Sequence, residues 1–193
     1  MTSGSGTDLR ASIETAWTTC HRATVFLIER IPDALWAAAP PPGTRRSVRS
    51  IAVHLHNARA RWVRTLGTDF GVAAPALIET RPERATRKQV AAALEKSHRA
   101  MLALIRLGFE HGGTIPASKR YVWRNLPLDV GHFLAYFATH EGHHRGQILV
   151  LGRVLGHRVP EEAVDGLWQF TRFSKAGGPR RAKSGATRTG KRA

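Results

Sequence analysis

Between Leu128 and Gly156 one stripe of residues recurs at helical spacing: Val130, Phe133, Phe137, His140, His144, Ile148, Leu151 and Leu155. Such a stripe is the core face of a buried helix, and two of its positions are histidines. Four residues apart, their imidazoles lie one above the other on the same face. A buried polar group needs a partner. Two inward-pointing imidazoles therefore suggest a shared metal ion, with a third ligand to come from elsewhere in the chain.

The rest of the chain supplies three more amphipathic helices. Leu9, Ile13, Trp17, Cys20, Thr24, Leu27 and Ile31 mark a first helix over 8–31, with Thr7 as its expected N-cap and Pro32 as its end. Cys20 falls on that stripe as a packing thiol, and His21 lies one position off it, toward the surface. A turn over 33–38 carries Trp36, and Pro40-Pro41-Pro42-Gly43 breaks the chain. Ser47 then caps a second helix to Leu66 whose stripe runs through Ile51, His54 or Leu55, Ala58, Trp62 and Leu66. His56 lies about 200° further round the helix. Asn57, Arg59 and Arg61 are expected in solvent or at the rim of a site. A long connection over 67–85 leads to the third helix, 86–110, capped by Thr86. His98 and His111 read as structural there. The fourth helix follows Pro127 and stops at Gly156. Trp168 and Phe170 are expected to fold back on the helices. No strand signal appears, so the fold class is all-α, a four-helix bundle with one crossover between the second and third helices.

The chain has 193 residues, 42% of them hydrophobic, which suffices for one domain with a real core. Residues 1–7 and 174–193 are expected to be disordered, leaving a domain over 8–173. The formal net charge of +16 resembles that of a nucleic-acid binder, but eight basic residues and no acidic one fall in the last 22 positions. Such a tail gives at most weak, nonspecific contact with nucleic acid. The single cysteine excludes an internal disulfide and fits a reducing compartment. With no apolar leader and no spanning run, a cytoplasmic protein without membrane contact is expected.

His54, on the second helix's core stripe, is the preferred third ligand. With His140 and His144 it would give three nitrogen donors and leave one position open, the pattern of catalytic zinc. Nickel and iron also suit imidazoles. Gln147, three residues after His144, is placed to support it. His143 and Arg145 flank the stripe and His56 is placed at the entrance, all as rim residues. His140-Glu141-Gly142-His143-His144 also matches the metalloprotease pattern H-E-x-x-H, with Glu161 or Glu162 as downstream ligand. Against it stand the lack of a strand to align a peptide and the presence of His54 upstream.

The string from His140 to Ile148, followed by Leu155-Gly156-His157, resembles the fourth-helix signature of the DinB-like superfamily. Val53 to Arg59 with Trp62 resembles its second-helix signature, and Gly166-Leu167-Trp168 a pattern near the end of some members. The resemblance covers about residues 9–170. It implies a bundle in up-down-down-up order, a homodimer, and a divalent metal on His54, His140 and His144. It further implies transfer of a low-molecular-weight thiol, such as mycothiol or bacillithiol, to a small electrophilic substrate, or thiol-dependent conversion of one. The alternatives are a metal-dependent hydrolase, or a non-enzymatic metal- or nucleic-acid-binding protein using the basic tail.

Overall fold

The computed structural model describes residues 8–79, 81–122 and 125–175. The expected disordered segments 1–7 and, beyond Lys175, 176–193 lie outside the described residues. Four long helices dominate: α1 (Leu9–Arg30), α3 (Val48–Gly67), α4 (Arg87–Glu110) and α5 (Val130–Val154). Short helices α2 (Asp33–Ala37), α6 (Glu161–Gly166) and α7 (Phe170–Ser174) close the gaps, and among the described residues no strand forms. No helix is long and apolar enough to cross a membrane.

Local signals set the helix ends. Asp8, not Thr7, caps α1, its carboxylate accepting from the Ala11 amide. Ser47 caps α3, and Thr86 with Gln89 forms a capping box on α4. The fourth long helix starts at Val130 rather than directly after Pro127, because Asp129 accepts from the His132 amide and takes the cap. At the other end Gly156 sits at a φ of 72°, and the following amide of His157 bonds the Gly152 carbonyl. That is the left-handed stop that glycine accommodates without a Cβ clash.

α1 and α3 each pack on both α4 and α5. The apolar core falls into two halves. One contains Leu27, Ile51, Leu55, Val90, Leu94 and Ile148, and the other Trp17, Trp62, Leu66, Met101, Leu104 and Phe137. Between them, at mid-length on every long helix, lies a layer of buried polar side chains: His21, Thr24, Arg59, Ser97, His98, Glu141 and His144.

Two expectations fail in this packing. His21 is 1% exposed. α1 touches α4 on one side and α5 on the other, so its buried face is wider than one stripe. Trp168 is 80% and Phe170 48% exposed. The fold-back is made instead by Leu167 and Phe173, the latter edge-on to Phe26 with ring centroids 5.4 Å apart.

Candidate metal centre

α3 and α5 bring three imidazoles together. His140 Nε2 lies 3.2 Å from His54 Nε2 and 3.2 Å from His144 Nε2. All three potential ligand atoms fall within 4.8 Å of one another. Nitrogens on a tetrahedral ion at about 2.0–2.1 Å would be about 3.3 Å apart, so the spacing suits a divalent metal. Protonation suits it too. Burial, then the neighbouring imidazoles His144 and His140, pushes His54 down to about 4. Burial, then His144, does the same to His140, also to about 4. Burial lowers His144 as well. Near neutral pH the three rings are therefore uncharged and carry lone pairs, as ligation requires.

Gln147 fixes one of them. Its Oε1 accepts from His144 Nδ1 at 2.7 Å. The proton is then on Nδ1, and the Nε2 lone pair faces the other two rings. His54 and His140 line a cavity of about 180 Å³ that also holds Arg61, Trp62 and Tyr136. The Tyr136 ring stacks over His140, with centroids 6.2 Å apart and planes 14° from parallel. A larger cavity, about 640 Å³, is lined by Gln147 together with Arg45, Arg46 and His143. His143 is thus beside the centre without joining it.

The other rim candidates lie elsewhere. His56 is 1% exposed and donates from Nε2 to the Ala76 carbonyl at 2.9 Å, tying α3 to the 68–86 connection. The turn of the helix that brings His54 to α5 carries His56 away from it. Arg145 reaches α1, where Nη1 donates to Thr24 Oγ1 at 2.9 Å and lies 3.7 Å from Cys20 Sγ. Cys20 itself is buried, and burial, then Glu141, raises its thiol pKa, so it packs rather than reacts.

Glu141 decides against the protease pattern. It is fully buried, accepting from Arg59 Nε at 2.9 Å, Arg59 Nη2 at 2.8 Å and Thr24 Oγ1 at 2.6 Å. Burial pushes the carboxyl up, but the charge and hydrogen bonds of Arg59 and the Thr24 hydroxyl outweigh it and hold the pKa below the usual value. A carboxylate so engaged is no base for a water beside the histidines. Glu161 and Glu162 are exposed in the first turn of α6 and belong to no ligand group. Arg59, expected at the surface or rim, is 0% exposed, because Glu141 and the face of Trp17, 4.8 Å from its guanidinium carbon, give it a buried berth.

The fold and the site define an all-helical protein whose three-histidine group can hold a metal ion. The family follows from the sequence match. The chain belongs to the DinB family, whose model matches residues 12–172. No curated protein and no solved structure matches it.

Proposed function

We propose that this DinB-family protein is a metal-dependent enzyme that transfers a low-molecular-weight thiol to a small electrophile, or converts one with the thiol's help. One observation carries the reading: three imidazoles converge through Nε2, and two of them, His54 and His140, border a cavity. His54, His140 and His144 hold the metal, with zinc the ion their geometry suits first and nickel or iron accepted by the same donors. Bound there, a divalent ion lowers the pKa of a coordinated thiol and presents it as a thiolate. Gln147 keeps His144 in the ligating tautomer. Trp62 and Tyr136 wall the cavity, and their rings limit water around the reacting group.

The same reading includes the bundle's order and assembly. α1 and α5 run from the Trp17/Phe137 half of the core to the Leu27/Ile148 half, while α3 and α4 run the opposite way. That supports an up-down-down-up bundle with 68–86 as the crossover. A homodimer in the cytoplasm is part of the proposal.

The test is to purify the chain without an affinity tag, measure metal per chain, and assay an electrophile with and without mycothiol or bacillithiol. About one divalent ion per chain and consumption that needs both metal and thiol are expected. Metal-dependent consumption without thiol would favour the hydrolase alternative. A chain that takes up no metal would end the reading.

A further inference from the structure

The surroundings of the three histidines are one-sided in charge. Arg61 follows His54 by two helical turns on the same face of α3 and lines the small cavity with His54 and His140. Arg46 precedes the Ser47 cap of α3 and lines the larger cavity with Gln147, the residue that bonds His144. Arg45 lies beside it. None of the three arginines makes a hydrogen bond or ion pair among the described residues. Elsewhere in the molecule arginines find carboxylates: Arg59 pairs with Glu141, Arg87 with Asp33 and Arg106 with Glu14.

The acidic residues are also distributed unevenly. Neither cavity beside the histidines is lined by a carboxylate. The cavities on other faces are, with Asp8 in one and Glu29 and Glu95 in others. α3 adds its amino-terminal dipole at the Arg46 end, with no acidic residue in the first turn to offset it. Unpaired guanidinium groups bordering a concave site are a receptor for an oxyanion, which they bind through paired N–H donors.

We propose that the small molecule converted at this site is an anion, a carboxylate or a phosphate, drawn to the three histidines by Arg61 in the small cavity and by Arg46 in the larger one. The arginines are specificity-determining residues. They orient an anionic substrate so that its reacting carbon faces the histidine centre, and they discriminate against neutral analogues. The inference rests on the metal-centred reading above and adds the substrate class to it.

The experiment uses the full chain, zinc-loaded and zinc-free, and isothermal titration with succinate, inorganic phosphate and the neutral succinamide. The wild type is compared with R46Q/R61Q and with a charge-matched control, R64Q/R99Q, whose arginines line neither cavity. All three proteins keep the basic tail, so its nonspecific affinity cancels in the comparison. Expected is binding of succinate or phosphate by the wild type and the control, at least about tenfold weaker binding by R46Q/R61Q with unchanged zinc per chain, and none of succinamide. The arm that binds tells carboxylate from phosphate. Equal binding by R46Q/R61Q, no anion binding by the wild type, or succinamide binding as tight as succinate overturns the proposal. Failure of the metal reading looks different: the wild type takes up no zinc, whatever it does with anions.

Discussion

Two histidines, His54 and His56, lie two positions apart on one helix and do different work. His54 Nε2 meets His140 across α3 and α5, while His56 donates to a backbone carbonyl on the far side of the helix. His54→Ala should therefore lose metal as fully as His140→Ala or His144→Ala, and His56→Ala should keep it. Metal per chain in the four variants checks this. An empty His56→Ala and a loaded His54→Ala would reverse the assignment. Gln147 makes a subtler case. Gln147→Leu leaves the three ligands in place but frees the His144 tautomer, and metal affinity should fall by about 10- to 100-fold. A competition titration with a chelator reads that change.

Among the elements, α5 is used on two faces at once. His140 and His144 turn toward His54, and Glu141, between them in sequence, turns toward Arg59. The second face continues as a chain of contacts. Arg59 Nη1 donates to His21 Nδ1 at 3.1 Å, and His21 Nε2 donates to Glu95 at 2.9 Å. Thr24 joins Glu141 to Arg145. One connected network thus ties α1, α3, α4 and α5 at mid-length. It also fixes α3 against α5 five residues from His54 and one from His140. Removing one charge strands the other in a dry core. Arg59→Met or Glu141→Leu alone should cost about 3–5 kcal/mol, whereas the double variant should cost clearly less than the sum. Urea unfolding of the four proteins in a double-mutant cycle gives the coupling. Additive costs would show the pair to be independent.

On the scale of the whole molecule, the polar layer makes stability sensitive to acid. His98 stacks on His21 with ring centroids 4.1 Å apart, and its Nδ1 is buried without a partner. Burial, then the charges of His21 and Arg59, pushes His98 down to about 3 from 6.5. A histidine whose pKa is lower folded than unfolded binds more protons in the unfolded chain. Its contribution is intact above pH 6.5 and is lost as pH falls toward 3. At about 1.36 kcal/mol per pH unit, His98 alone should remove about 2 kcal/mol between pH 6.5 and 5. His98→Phe should flatten the pH dependence of urea-unfolding stability over that range. An unchanged slope would show that His98 is not its source.

Periodicity alone was enough to place the four long helices, since each needs one apolar face and each has it within a residue or two of the observed ends. It also brought His54, His140 and His144 to one place, but only His144 is buried there; His54 and His140 are half-buried, and Leu55 and His56 take the buried positions beside His54. The resemblance at Val53–Arg59 and His140–Ile148 named the family. Position relative to a neighbouring helix was not legible. A single stripe does not show that α1 is covered from two sides, so His21 read as surface. Arg59 and Glu141 looked like solvent-facing or catalytic charges, because each is stable in the core only in the other's presence, and they are 82 positions apart. Local sequence determines which face of a helix is apolar. Only the tertiary structure decides which charges find a partner there, because burying an ion is favourable solely where packing delivers its counter-ion and its hydrogen bonds together.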